Sequence, residues 1–406
     1  MTPEQRELLD ARFKKKGLSL RRQEESSESE PGSSANEHPL PDVEKHANRD
    51  IKFSLYFFSD DGSSSESGKY SLLLESAKFA DRNGFCAVWT PERHFQRFGG
   101  LYPNPSVLGA ALAVITENVK IRAGSVALPL HHPVRVAEEW SVVDNLSHGR
   151  VALSFASGWH PDDFVFAPAI YERRKDVMFD YIDRIKRLWA GDAVEFDGIG
   201  GGVPLRIMPR PIQATLPVWI TTAGSSATWA KAGKIGANIF CALVGYSYND
   251  LAERIDLYRK ARQENGHDPL AGQVTVMIHT YIGDDGAAVK AMVREPMCRY
   301  LRSYFQQFAG VVEGSDTITE DDKAAIVARA FDSYYEDSLL IGTRRKCETV
   351  VDRLIEAGAD ELACLVDFGL EFDVVMEGLV RLAALREEYA RPRHSVALAA
   401  PRSERE

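Results

Sequence analysis

From Ile51 onward the chain alternates two hydrophobic patterns. Short apolar, β-branched or aromatic runs lead through a polar turn into segments whose apolar residues recur every three or four positions. The runs are Ile51 to Phe58, Cys86 to Thr90, Ile121 to Leu128, Val151 to Ala156, Pro217 to Thr222, Ala237 to Leu243, Val274 to Ile282 and Leu362 to Asp367. Between them, Tyr70, Leu73, Leu74, Ala77 and Ala80 form a helical stripe that stops at Asn83-Gly84, and Met178, Tyr181, Ile182, Ile185, Leu188 and Trp189 form another. Eight such units in order predict an α/β fold, a (β/α)8 TIM barrel, with a doubly wound open sheet as the alternative. One long interruption, residues 284–340, falls between the seventh strand and its helix. It follows a strand C-terminus, the side on which barrels carry their sites, so it reads either as a lid or as a surface excursion.

The ends of the chain follow different rules. Residues 1–20 read as a short helix and a candidate docking element, with Thr2 as N-cap, Pro3 in the first turn, Gln5 completing a capping box and Gly17 as the stop. Residues 21–49 are Ser- and Pro-rich and too poor in apolar side chains to offset their ordering entropy, which predicts a flexible linker and so a disordered N-terminal extension. The barrel domain is expected over 50–392 and a disordered tail over 393–406.

Composition narrows the function classes. A formal net charge of -10 argues against a nucleic-acid partner, which requires a basic surface. The five cysteines are odd in number, scattered and never in a C-x-x-C pair, which fits a reducing, cytoplasmic location. The charged N-terminus and the lack of a long apolar run argue against a secretory signal or a membrane span.

Candidate chemistry gathers at strand ends. After the second strand, "WTPERHFQRFGGLYPNP" places Glu92, Arg93 and His94 together. A His held by a carboxylate can act as acid or base, and an Arg can stabilise an oxyanion or phosphate; the alternative is an ion pair bracing a loop. After the fourth strand, "SFASGWHPDD" brings Ser157, Gly158, Trp159 and His160 to the same rim, either as ligand contacts or as packing. After the fifth, the turn at Thr222, Ala223, Gly224, Ser225 and Ser226 opens a helix, and such an N-terminus either cradles phosphate or is simply capped by Ser. Neither a G-x-G-x-x-G nor a P-loop pattern is present, and the spacing of the ten histidines points to no metal site. A two-carboxylate glycosidase would need Glu92 plus Asp162, Asp163 or Asp367.

Four ordered blocks carry a family resemblance: "GFCAVWTPERHFQRFGGLYPNP", "LPLHHPVRVAEEWSVVDNLSHGRV", "PVWITTAGSSATWAKAG" and "IGTRRKCETVVDRLIEAGADELACLVDFG". Over nearly all of Ile51 to about Glu388 the chain resembles the luciferase-like monooxygenases, and within them a subfamily found beside or within non-ribosomal peptide and polyketide assembly lines. The resemblance implies a barrel that binds reduced FMN (FMNH2), reacts with O2 through a flavin C4a-peroxide and oxygenates a natural-product substrate, free or carrier-bound. It implies a separate flavin reductase, a carrier protein as candidate partner and a homodimer. Carried over by position, Ala223, Gly224, Ser225 and Ser226 match the family's flavin-phosphate turn and Asn104 its Asn-Pro. With Phe57, Ser125, Ser157, Gly158, Trp159 and Thr222 they are the candidate cofactor contacts. Glu92, Arg93, His94 and His160 are the candidate catalytic residues, with His94 or His160 as proton relay and Arg93 orienting substrate or stabilising negative charge. Two positions depart from bacterial luciferase: Arg93 aligns with its catalytic histidine, and Ser157 with a phosphate-binding arginine that Arg174 would have to replace. A deazaflavin (F420) oxidoreductase and a non-catalytic flavin-binding protein stay open as alternatives.

Overall fold

The computed structural model describes residues 50–58, 68–158, 160–222, 224–243, 247–309 and 320–390. The expected N-terminal helix, linker and C-terminal tail, and the side chains of Trp159 and Ala223, lie outside these residues. Among the described residues no helix is long and apolar enough to cross a membrane.

All eight predicted strands form. In chain order they are β1 (Lys52–Tyr56), β2 (Ala87–Thr90), β3 (Lys120–Ala127), β4 (Val151–Ala156), β7 (Val218–Thr222), β8 (Asn238–Ala242), β9 (Val274–Gly283) and β11 (Glu361–Leu365). Each pairs in parallel with the next, β11 pairs with β1, and β8 pairs with β9, so the sheet closes into a barrel. Two departures appear. An antiparallel hairpin, β5 (Val194–Gly198) and β6 (Gly201–Leu205), follows the helix after β4. A short β10 (Leu340–Thr343) ends the insertion by pairing with the last four residues of β9, Thr280 to Gly283. Neither carries a hydrophobic alternation long enough to read as a strand.

Ten helices of the described chain matter for position: α1 (Ser71–Arg82), α2 (Pro105–Ile115), α3 (Pro133–Leu146), α4 (Arg174–Ala190), α5 (Ser226–Lys234), α6 (Tyr248–Glu264), α7 (Gly286–Ala309), α8 (Glu320–Asp337), α9 (Arg344–Glu356) and α10 (Phe372–Tyr389). Local chemistry starts and stops several of them. The Asn104 side-chain oxygen accepts from the Ser106 and Val107 N–H groups at the head of α2, with Pro105 in its first turn. At the other end, buried Arg150 donates to the carbonyls of Ala113 and Thr116, which would otherwise be orphaned helix-terminal acceptors.

Period-two alternation divides the strands between two cores. Phe53, Leu55 and Phe57 of the first strand segment pack outward with α1 residues Leu73, Ala77 and Ala80. Trp89, Trp219, Phe240 and Tyr56 fill the lumen, and the same buried cluster continues into Val293, Met297 and Phe331 of the insertion helices α7 and α8. The insertion is therefore packed onto the barrel interior.

The floor of the lumen holds a buried ion pair. Arg122 donates to both carboxylate oxygens of Glu361, at 3.0 and 2.7 Å, with its guanidinium 4.8 and 4.6 Å from the ring centroids of Trp89 and Trp219. Ser54 and Trp89 donate to Glu361 Oε1, so the charge is surrounded by donors as well as paired. This end reads as stability, leaving function to the opposite rim.

Candidate active site

At the C-terminal end of β2, Glu92 is the hub. Its Oε1 lies 2.8 Å from His94 Nε2 and 2.5 Å from His131 Nε2, and its Oε2 accepts from the Ala127 N–H at 2.8 Å. The chain turns there because Arg93 N–H donates to the Tyr102 carbonyl, folding the 95–102 loop back over the strand end. Gly99, at φ +77°, makes this fold possible: a Cβ there would sit 2.6 Å from Arg93 Cγ.

Burial would raise the Glu92 carboxyl, but hydrogen bonds from His131 and His94, the His131 charge and the Ala127 N–H together carry it down to about 2. Burial likewise opposes a charged His131, yet the hydrogen bond and charge of Glu92, with Glu139 beyond, hold it above the ordinary histidine value. An ionised carboxylate only accepts, so both Nε2 atoms carry hydrogen and His94 is left with Nδ1 as an acceptor. His160 Nδ1 accepts from the Asp162 N–H at 3.3 Å.

Arg93 is buried, with its guanidinium carbon 5.8 Å from the Phe58 ring centroid. Burial lowers its pKa against the pull of Asp163, Tyr56 and Tyr300. Asp163 is itself buried and raised by that burial, countered by Arg93, His94 and His160. The acid, the guanidinium and the two imidazoles thus share one electrostatic neighbourhood.

Across the rim, α5 begins at Ser226 with Ser225 as N-cap, whose side chain makes no capping hydrogen bond. Gly224 takes φ +135° there, and Arg254 from α6 donates to the Gly224 carbonyl at 2.6 Å and to Ser226 Oγ at 3.1 Å. Arg174 does not occupy this position: it bonds the Tyr171 carbonyl at 2.7 Å and lies over the Tyr171 ring. Between the two halves of the rim, Thr221 Oγ1 meets Ser125 Oγ at 2.5 Å and Ser154 Oγ at 2.7 Å. Thr222 is buried, Ser157 half-buried, and Gly158 sits at φ +71°.

The sequence expectations divide on this geometry. Glu92, Arg93, His94 and His160 come together. Phe57 does not face the lumen; its outward parity leaves Tyr56 and Phe58 as the lumen-side aromatics of that strand. Asn104 commits its carboxamide oxygen to capping α2. His131 and Arg254 join the site only through folding. His131 lies 39 residues from Glu92, and no local pattern links them.

A model of the luciferase-like monooxygenase family matches residues 51–361. The oxygenase component of flavin-dependent trigonelline monooxygenase from Acinetobacter baylyi is 26% identical over 347 residues, covering 82% of this chain and 93% of that protein. Among solved structures, the monooxygenase RslO1 from Streptomyces bottropensis superposes with a TM-score of 0.70 at 22% identity, over 84% of this chain and all of that one. The oxygenating constituent of 3,6-diketocamphane monooxygenase from Pseudomonas putida, solved with FMN, gives a TM-score of 0.67 at 19% identity, over 82% and 97%. With a closed barrel, a charged rim at its C-terminal end and a family match over most of its length, the chain belongs to the luciferase-like monooxygenase family of enzymes.

Proposed function

We propose that this protein is the oxygenase component of a two-component flavin-dependent monooxygenase, using FMNH2 from a separate reductase to oxygenate an organic substrate of natural-product biosynthesis. The observation that carries the reading is the helix start at Ser225 and Ser226 with Arg254 upon it, at the same barrel end as the Glu92 cluster. A phosphate at that turn would meet helix N–H groups and a guanidinium, so these residues fit a phosphorylated flavin. The relative from Acinetobacter, named as an oxygenase component, supports a separate reductase.

When bound, the reduced flavin supplies the electrons that activate O2; the protein supplies position, dryness and proton control. Glu92 fixes the His94 tautomer so that Nδ1 takes a proton and, as imidazolium, returns it, with His160 beside it as a hydrogen-bonding group. Arg93 stabilises developing negative charge, and its burial with Asp163 strengthens that interaction. Tyr56, Phe58 and the insertion exclude water. Residues 1–20 serve as a docking element toward a carrier protein, which a 49–406 fragment tests: unchanged turnover on carrier-bound substrate removes that role. A homodimer, expected from the family, fits the exposed apolar residues Val107 and Val114 on α2 and Val142 and Leu146 on α3.

The central test is binding. The purified chain should bind FMN, and Arg254→Ala should weaken FMN by about tenfold or more while leaving riboflavin unchanged, since the lost contact is to phosphate. Equal loss for both ligands, or selective binding of F420 by the wild type, would overturn the assignment. Mixing the FMNH2-loaded protein with O2 should give a transient distinct from reduced and oxidised flavin; single-step reoxidation counts against oxygenation.

A further inference from the structure

One buried imidazole has no part in the chemistry above. His279 lies in β9, and Thr275 of the same strand accepts from the lumen-side Trp219 Nε1 at 3.1 Å. Four residues on, at the same parity, His279 points into the barrel near its C-terminal mouth. It is 1% exposed, and among the described residues neither ring nitrogen has a hydrogen-bond partner in the protein.

Its neighbours are aromatic. Tyr300 of the insertion helix α7 lies edge-on with centroids 4.5 Å apart, and Phe368, after β11, at 5.8 Å. Tyr300 continues to Phe98 at 4.8 Å, and Phe98 to Phe58 at 5.0 Å, beside Arg93. A wall of rings therefore runs from the Arg93 end of the mouth to His279 under the insertion. If His279 were packing alone, Phe or Leu would serve better, because burying an unpaired polar group costs about 1–3 kcal/mol. Two unpaired nitrogens at the end of such a wall instead mark a binding partner outside the chain.

We infer that His279 is a specificity-determining residue that hydrogen-bonds a neutral hydroxyl or carbonyl on a flat, aromatic substrate lying along the Phe58, Phe98 and Tyr300 wall. The substrate is a phenol or aryl ketone in class and not a carboxylate, because burying an anion against the uncharged rings of Tyr300 and Phe368 is costly. A neutral ring offers one N–H and one lone pair, which suits a hydroxyl or carbonyl. The inference rests on the reading of this mouth as the flavin and substrate site.

The test uses the full chain loaded with FMN and two probes, 2-naphthol and naphthalene, with affinities read from tryptophan fluorescence. Wild type should prefer 2-naphthol by about tenfold. His279→Phe should abolish that preference while keeping naphthalene binding, and His279→Gln, which retains a donor and an acceptor, should restore part of it. 2-Naphthoate should bind more weakly than 2-naphthol. An unchanged preference in His279→Phe, no preference in the wild type, or stronger binding of 2-naphthoate overturns the inference. FMN binding that persists alongside such a result leaves the proposed function standing. Naphthol preference without FMN binding separates the two readings the other way.

Discussion

His279 also makes a stability prediction that needs no ligand. The perturbation is His279→Phe. The ring is faced by Tyr300, Phe368 and its strand neighbour Leu365, none of them charged at neutral pH, and burial alone lowers its pKa from 6.5 to about 3. The folded pKa lies below the unfolded one, so between those values the unfolded chain binds more protons and stability falls as pH falls. Each pH unit well inside that window removes about 1.4 kcal/mol, and integration from about pH 7 to about pH 5 gives a loss of about 2 kcal/mol from this one group. His279→Phe should lack this loss and be at least as stable as wild type near pH 7, having no unpaired nitrogen to bury. The assay is urea unfolding followed by circular dichroism at the two pH values. The quantity read is the variant's change in stability minus that of the wild type, which cancels the carboxylates both proteins share. His279→Leu serves as a second variant, since its pH response should match that of Phe even if its packing differs. Parallel pH profiles for wild type and both variants, within about 0.5 kcal/mol, would refute the reasoning.

Three further outcomes follow from the same structure. Glu92→Gln should drop the His131 pKa, measured by histidine proton NMR, and reduce turnover on the order of 100-fold as His94 loses its fixed tautomer. Arg122→Met or Glu361→Gln alone should cost about 3–5 kcal/mol by leaving a buried charge unpaired, whereas the double variant should cost much less, as a double-mutant cycle in urea unfolding would show. Val114→Asp should convert a homodimer to monomer in sedimentation, and no change in mass would remove α2 from the interface.

The primary sequence on its own determined what is local. Eight apolar runs became the eight barrel strands because period-two burial and helical stripes are written in neighbouring residues, and the insertion was visible as the one long break in that rhythm. The placement of Glu92 to His94 and of the turn into α5 at the barrel rim was legible for the same reason: each lies within a few residues of a strand end. What only tertiary structure decided was convergence and parity. Whether Phe57 or its neighbours faced the lumen depended on the register of a closed sheet, where a single step exchanges inside for outside. His131 reached Glu92, Arg254 reached the Gly224 turn, and Tyr300 reached His279 because barrel closure brings strand ends and the insertion around one mouth. Contacts made across such sequence distances leave no periodic trace in the segments that make them.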